Sequence, residues 1–250
     1  MTKHTPFADD PDPLKLGFRP IPVSDWLETT AFSDELAALK QTMLQDDRAT
    51  VLRHARSDQG SCDELLGAVE AATGRSGDPA EADPIARAGL LVEEDLCLME
   101  AAKDDMWRFT HGCVCIPTRW RLADKIGNTM DGVHEPVPLL NDRLANPINR
   151  FFERLRPDRL YERFNWSLVS DPSWALEPRD RKIVVPASDR EWMRVERQTF
   201  RKLPASDAVV FTIGIHRYRI DEFDAPTSAA LKRAIAALPE ELARYKGFTT

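Results

Sequence analysis

One histidine of this sequence lies in a segment that would hold its side chain rigidly. His134 follows Gly132 and precedes Pro136 and Pro138. Glycine allows the backbone to approach another group closely, whereas proline fixes its own φ and disfavours helix in the residue before it. An imidazole on such a stiffened loop could be the axial ligand of a bound metal. The spacing alone favours the simpler alternative, in which the histidine hydrogen-bonds within its own loop.

A second candidate site lies in a segment of alternating character, residues 192–199, whose neighbours look buried. As a strand, this segment would turn Arg194 and Glu196 to one side of a sheet and Arg197 to the other. A buried charge requires a partner, a cofactor or a cavity. Pairing between arginine and glutamate across the sheet is an equally good explanation on the sequence alone.

The four cysteines could contribute metal ligands, but their spacing argues against it. Cys113 and Cys115 form a C-x-C with His111 close by, while Cys62 and Cys97 stand alone. A zinc site normally needs four ligands, and no second cluster of cysteine or histidine supplies the fourth. The sequence therefore predicts buried, reduced cysteines.

Composition and missing motifs exclude several functions. A net charge of −7 in 250 residues is unsuited to a nucleic-acid surface, and the basic residues of 150–163 alternate with acidic ones as on a solvated, ion-paired helix face. No G-x-G-x-x-G, G-x-x-x-x-G-K-[ST], H-E-x-x-H or G-x-S-x-G motif occurs. No apolar run reaches the roughly 18–20 residues of a membrane span, and the N-terminus lacks a signal-peptide pattern. We therefore expect a cytoplasmic protein.

The elements that must position these residues follow from hydrophobic period and capping signals. Helices are predicted at about 33–46 after an N-capping Ser33, at 61–73 after Ser61, from Pro84 through Val92, at 140–156 and at 226–243, with a surface linker at 74–83. Strands are predicted near 96–100, 106–116, 162–169, 192–199 and 208–218. The fold class is therefore α+β, a mostly antiparallel five-stranded sheet with helices packed around it. We expect one domain over 1–250, with an N-terminal extended arm and a helical segment over about 1–90.

Several motifs in a fixed order resemble one known family. They lie at 91–99, 125–127, 134–138, 150–155, 163–167, 194–199, 209–213 and 245–247. Together they are similar to the heme-dependent oxidative N-demethylases, long known only as a domain of unknown function, which include heme subunits of dimethylamine monooxygenases. The resemblance spans nearly the whole chain, from Leu16-Gly17 to Lys246-Gly247.

The resemblance implies a heme b held in a PAS-like domain and used to activate dioxygen. It implies a monooxygenase that removes an N-methyl group from a small secondary or tertiary methylamine and releases formaldehyde. Electrons would come from NADPH through FMN and 2Fe-2S centres on partner chains, because the chain carries none of their motifs. A non-catalytic heme-binding PAS-like sensor or scaffold is the alternative.

The resemblance also implies roles for individual residues near the heme. His134 falls in a family motif and is the expected axial ligand, with Lys125 and Arg194 expected at the heme. The segment around His111 departs from the small residues that the family has before a C-x-P, which makes His111 a second candidate ligand. His216, in the last predicted strand, is a third.

Further residues are expected at the reacting amine. Glu196 is the expected acid or amine-orienting carboxylate, and Arg197 is the second expected catalytic residue. Arg194 and Arg197 are also candidates for binding the heme propionates or for forming an internal pair. Asn165, Trp166 and Trp192 are expected to bind the substrate, the two indoles by cation–π contact worth about 0.5–2 kcal/mol each. Plain core packing remains the better explanation for both tryptophans.

Overall fold

A single antiparallel sheet forms the centre of the molecule. The computed structural model describes residues 4–9, 17–28, 33–104, 106–134, 148–178 and 191–245. Within these residues the strands are β1 (Arg19–Ile21), β2 (Leu52–His54), β3 (Asp95–Ala101), β4 (Trp107–Cys113), β5 (Leu160–Val169), β6 (Trp192–Lys202) and β7 (Val209–Arg219). Their spatial order is β1-β5-β6-β7-β3-β4-β2.

The predicted α+β class and the antiparallel sheet are confirmed, but the predicted number of strands is wrong. All five predicted strands are present as β3 to β7. Seven strands occur in the described residues, because the three-residue strands β1 and β2 pair at the two edges. Three residues are too few to show an alternating hydrophobic period, so the sequence could not reveal them. The PAS-like fold and the single-domain organisation stay predictions.

Short helices surround the sheet. They are α1 (Pro6–Asp9), α2 (Asp34–Asp46), α3 (Arg48–Val51), α4 (Gly60–Thr73), α5 (Pro84–Gly89), α6 (Leu122–Lys125), α7 (Met130–His134), α8 (148–154), α9 (Ala225–Ala236) and α10 (Glu240–Tyr245). None of the helices in the described part of the chain has the length and hydropathy of a membrane span.

Helix ends test the capping predictions. The Ser33 hydroxyl accepts a hydrogen bond from the Leu36 amide at 3.1 Å, which confirms the predicted start of α2. Ser61 is not a cap, because α4 begins at Gly60 and Ser61 is buried within the helix. The last predicted helix is two helices, since Pro239 cannot continue α9.

Two other predicted helices also need correction. Helix α5 ends at Gly89, three residues before the predicted end at Val92. In the predicted helix 140–156, helix α8 accounts for 148–154, and 140–147 lies outside the described residues. The predicted linker 74–83 contains no helix or strand, and its first residue, Gly74, ends α4 in the left-handed conformation.

The two faces of the sheet are covered by different helices. We call them the Glu196 face and the Arg197 face, after two neighbouring residues of β6 that point to opposite sides. On the Arg197 face, Leu96, Leu98 and Val210 belong to the apolar cluster that includes α2, α4 and α5. On the Glu196 face, residues of β3, β4 and β6 pack against α6, α7 and α8.

The described parts of the N-terminal arm, 4–9 and 17–28, pack on the body of the protein. Phe7, Trp26 and Leu27 are buried, and β1 pairs with β5 at the edge of the sheet. The arm is not simply extended, because Pro6–Asp9 forms a helical turn, α1. The arm thus contributes core residues to the body rather than only covering it.

Candidate functional site

The sheet register assembles a group of polar side chains on the Glu196 face. Glu196 lies opposite Asn165 of β5 and Ile215 of β7, and Gln198 lies opposite Arg163. Directly opposed residues of antiparallel strands point to the same face. We call Arg163, Asn165, Glu196 and Gln198 the polar row. It joins residues 31 to 35 positions apart in the chain, which only strand pairing can bring together.

Glu196 is the centre of the polar row. Its Oε2 accepts hydrogen bonds from Asn165 Nδ2 at 3.3 Å and from Gln198 Nε2 at 2.8 Å, and the residue is only 9% exposed. Both donors are neutral amides. No arginine or lysine of the described residues forms an ion pair with Glu196 within 4.0 Å. The carboxylate is therefore oriented without being neutralised by a direct ionic contact.

Arg163 stands beside this carboxylate and was missed by the sequence analysis. Two predictions overlapped at Arg163, a solvated helix face over 150–163 and a strand near 162–169, and the strand is confirmed because Arg163 lies in β5. Burial lowers the pKa of its guanidinium below the usual range, and the charge of Glu196 opposes that shift. Its Nε is shielded from solvent and has no hydrogen-bond partner among the described residues. The alternation of polar and aromatic residues over 163–166 was the signal that indicated a strand.

Arg194 shares the Glu196 face but is engaged by the protein. Its guanidinium donates to Thr118 Oγ1 at 2.9 Å and to the carbonyl oxygens of Ile116 and Trp174 at 2.9 and 2.7 Å. Burial lowers its pKa to about 10, against the opposing charges of Glu196 and Asp95. These contacts fasten the segments 116–118 and 173–174 to the sheet. A role for Arg194 in binding a cofactor stays a prediction.

Arg197 is not brought together with Glu196, because it points to the opposite face. Its Nε donates to Glu162 Oε2 at 2.7 Å, and both side chains are 6% exposed. Its other nitrogens donate to the carbonyl oxygens of Asp25 and Trp26 in the N-terminal arm. This is the cross-sheet pairing that the sequence left open as an alternative. The catalytic role of Arg197 stays a prediction that this geometry does not favour.

Of the three residues expected to bind substrate, only Asn165 contacts Glu196. Trp166 lies on the Arg197 face, where its ring packs edge-on against Phe7 at 5.8 Å. Trp192 shares the Glu196 face but lies four residues from Glu196 along β6, and Arg219 stacks over its ring at 5.6 Å. Trp166 thus has a packing contact and Trp192 a stacking contact within the protein, and their roles in substrate binding stay predictions.

His134 ends α7, the helix that replaces the predicted loop. Gly132 is helical rather than a turn residue, and Pro136 and Pro138 lie outside the described residues, as does the side chain of His134. Lys125 Nζ donates to the carbonyl oxygen of Val133, which ties α6 to α7. The cofactor role of Lys125 and the ligand role of His134 stay predictions.

The packing of Met130 places α7 on the same face of the sheet as the polar row. Met130, in its first turn, belongs to the apolar cluster with Met99, Phe109 and Phe200 on the Glu196 face. His134 therefore ends a helix that covers the same face of the sheet as the polar row. This placement depends on the backbone and on Met130, not on the His134 side chain.

The other candidate ligands, His111 and His216, lie on the Arg197 face. His111 Nδ1 is 2.8 Å from His54 Nδ1, next to Cys62. His216 Nε2 is 2.8 Å from Glu28 Oε2, and His4 Nε2 is 3.1 Å from the other carboxylate oxygen. Burial raises the pKa of Glu28, but hydrogen bonds to His216 and His4 outweigh it and hold the pKa well below the usual range.

All four cysteines are buried and free, as predicted. Cys113 and Cys115 are close enough for their thiols to hydrogen-bond, and this contact and burial raise the pKa of Cys115. His111, however, approaches Cys62 of α4 rather than completing a site with the C-x-C pair. The sequence could not indicate this contact, because 48 residues separate Cys62 from the centre of β4 at Thr110.

One protein family model matches most of the chain. The family model described as "Haem-dependent oxidative N-demethylase, alpha subunit-like" matches residues 68–250, which are 183 of the 250 residues. The match includes β3 to β7, α7 and the whole polar row, whereas the N-terminal arm, α2 and His54 precede it.

Proposed function

Because the chain belongs to the heme-dependent oxidative N-demethylase, alpha subunit-like family, we propose that it is the heme-binding, demethylating subunit of a multi-component monooxygenase. Its substrate would be a small secondary or tertiary methylamine, and its products formaldehyde and the demethylated amine. The observation that carries this proposal is Glu196, a nearly buried carboxylate oriented by two neutral amides.

The polar row suits an amine substrate. A methylamine is a cation at neutral pH, and a carboxylate without a close ionic partner is the complementary group. Asn165 and Gln198 hold one oxygen of Glu196, which fixes the direction from which an ammonium can approach. Such positioning is the main contribution that a protein makes before any bond changes.

We propose that the heme binds on the Glu196 face. Heme is a flat apolar ring with two carboxylates, and Arg163 offers a shielded Nε without a partner among the described residues. Phe200 and Phe211 stack at 4.9 Å further along the same face, where Phe151 adds a third ring. We propose Arg163 as a propionate partner and His134 as the axial ligand, since α7 covers this face.

When bound, heme supplies dioxygen activation and insertion of one oxygen atom into an N-methyl C–H bond. The resulting carbinolamine breaks its C–N bond once its hydroxyl loses a proton and its nitrogen gains one. Glu196 can accept the first proton and deliver the second, because a carboxylate within hydrogen-bond reach acts in both directions. The second oxygen atom leaves as water, which requires two electrons and two protons.

We propose that those electrons arrive from NADPH through FMN and a 2Fe-2S centre on partner chains. An alpha subunit implies at least one other subunit, and this sequence has no dinucleotide-binding fingerprint. The partner would be a flavin and iron–sulfur reductase.

An absorption spectrum and a product assay test the proposal. We expect the purified protein to show a Soret band and, with NADPH and a competent reductase, to release formaldehyde from dimethylamine or trimethylamine in a 1:1 ratio to NADPH. His134→Ala should lose heme or shift the band strongly, while His111→Ala and His216→Ala keep it. A Soret band without formaldehyde from any methylamine would favour the non-catalytic alternative. An unchanged band in His134→Ala would transfer the ligand role to another histidine.

A further inference from the structure

The Arg197 face carries a second group of metal-ligating side chains, away from the polar row. His54 lies at the end of β2, Cys62 in the first turns of α4, and His111 in β4. One ligand atom from each lies within 4.8 Å of the other two. We propose that His54, Cys62 and His111 form a binding site for a single Zn²⁺ ion, separate from the proposed heme site.

The spacing of these atoms suits a tetrahedral ion. Bonds of about 2.0–2.1 Å to nitrogen and 2.3 Å to sulfur place the ligand atoms roughly 3.3–3.6 Å apart. His54 Nδ1 and His111 Nδ1 are 2.8 Å apart, and the group as a whole lies within 4.8 Å. Side-chain rotations that move atoms by about an ångström therefore convert the group into a coordination shell.

A carboxylate lies near the far nitrogen of each histidine, within hydrogen-bond distance for His54 and farther away for His111. Asp83 Oδ2 lies 2.8 Å from His54 Nε2, while its Oδ1 caps α5 through the Ile85 amide. Glu100 Oε2 lies 3.9 Å from His111 Nε2 and accepts a hydrogen bond from Arg56. A carboxylate on the far nitrogen orients a ligating imidazole and raises its basicity.

The protonation of the two rings is a further argument for a cation. His111 is 0% exposed, and its Nε2 has no hydrogen-bond partner among the described residues. Its Nδ1 faces another imidazole nitrogen, and that contact needs one protonated and one bare nitrogen. A cation bound to both Nδ1 atoms would leave each far nitrogen protonated, His54 Nε2 toward Asp83 and His111 Nε2 toward Glu100.

The donor set favours Zn²⁺. Two imidazoles and one thiolate are borderline-soft ligands, and three protein ligands leave a fourth position for water or a carboxylate. A thiolate leaves a net single positive charge on the site, next to the negative charges of Asp83 and Glu100. The same donor set also suits Cu²⁺, so the experiment must separate the two metals.

The ion would join three elements that otherwise meet weakly. β2 is a three-residue edge strand, paired with β4 over residues 52–54. Coordination would fasten this edge strand and the start of α4 to β4. The expected role is structural, and it does not depend on the proposed demethylation.

Co²⁺ titration of the full chain, after removal of bound metal with a chelator that leaves heme in place, tests the site. Co²⁺ is a spectroscopic substitute for Zn²⁺. We expect one equivalent to bind with a thiolate-to-cobalt charge-transfer band, and one equivalent of Zn²⁺ to remove the band and raise the Tm. Cys62→Ala should lose the band, and His54→Ala should weaken binding at least tenfold. Cys97→Ala is the matched control, a buried free cysteine of β3 outside the site, and should keep the full band.

Several results would overturn the proposal. They are the absence of stoichiometric Co²⁺ binding, a band that persists in Cys62→Ala, or a band that Cys97→Ala abolishes. Metal analysis of the purified chain before stripping that finds one equivalent of copper and no zinc would overturn the choice of metal. If Cys62→Ala fails to fold, His54→Ala and the Tm of the stripped native chain still decide, because no rise with Zn²⁺ contradicts the site.

Discussion

Glu196 and Arg197 are neighbours in β6, both nearly buried, yet their surroundings on the two faces of the sheet differ in kind. Arg197 is matched by a carboxylate at 2.7 Å and by two carbonyl oxygens. Glu196 is held by two neutral amides, beside an arginine whose Nε has no partner among the described residues. A charge with a complete set of partners serves the fold, whereas an oriented charge without an ionic partner is available to a ligand.

The largest expected effect is on the Glu196 face. Glu196→Gln preserves size and hydrogen bonding but removes the negative charge and the proton acceptor. We expect a loss of about 10²–10⁴-fold in formaldehyde released per heme, with heme content and Tm unchanged. Initial rates with a saturating methylamine, normalised to the Soret absorbance, measure it. Full activity would remove Glu196 from the mechanism, and loss of heme would make it a structural residue.

On the Arg197 face we expect the opposite result. Arg197→Met leaves Glu162 with only Arg19 and two arm carbonyl oxygens without their donor. Breaking such a pair should lower the free energy of unfolding by about 3–5 kcal/mol, with turnover per heme unchanged. Urea unfolding measures this free energy. Arg219, whose ion pair with Asp221 is exposed, provides the control, and Arg219→Met should not measurably lower the free energy of unfolding. If the Arg197→Met variant were as stable as wild type but had a lower turnover per heme, the assignment of a structural role to the Arg197 face would be wrong.

Two arginines offer a closer comparison of the faces. Arg163 on the Glu196 face and Arg201 on the Arg197 face each have a shielded Nε without a partner among the described residues. We expect Arg163→Met to weaken heme binding about tenfold, the effect of losing one charge-assisted hydrogen bond, or about 1.4 kcal/mol. Arg201→Met should leave heme affinity unchanged, because Arg201 stacks on Trp26. Heme transfer to apomyoglobin measures the heme affinity of both variants. Equal losses of affinity would contradict a contact between Arg163 and heme.

The smallest effect concerns acid stability on the Arg197 face. Glu28 has a folded-state pKa well below its usual value, so its ionised form favours the folded state. This contribution to stability is complete above about pH 5. It is lost as the pH falls below the pKa that Glu28 has in the unfolded chain, because the unfolded chain then binds a proton that the folded protein does not yet bind. We expect Glu28→Gln to be less stable than wild type at pH 7 by about 1 kcal/mol, allowing for its partial exposure, and the difference to shrink by pH 3. Urea midpoints between pH 3 and 7 measure it.

Local patterns predicted much of this protein. The alternating period located β3 to β7, because neighbouring residues of a strand always face opposite sides. The same rule predicted that Glu196 and Arg197 point to opposite faces of the sheet. Ser33 was identified as a cap because its hydroxyl acts within three residues. The family motifs, which also lie within short segments, indicated heme and demethylation.

Contacts between distant segments were decided by the tertiary structure alone. Arg163 belongs to the polar row because β5 pairs with β6 in one register, and a shift of one residue would have turned it to the other face. Cys62 meets His54 and His111 because α4 packs on the edge formed by β2 and β4. A sequence shows which residues can carry charge or bind metal. Which of them share a partner depends on strand register and helix packing, and these are set by the burial of the whole core rather than by any local pattern.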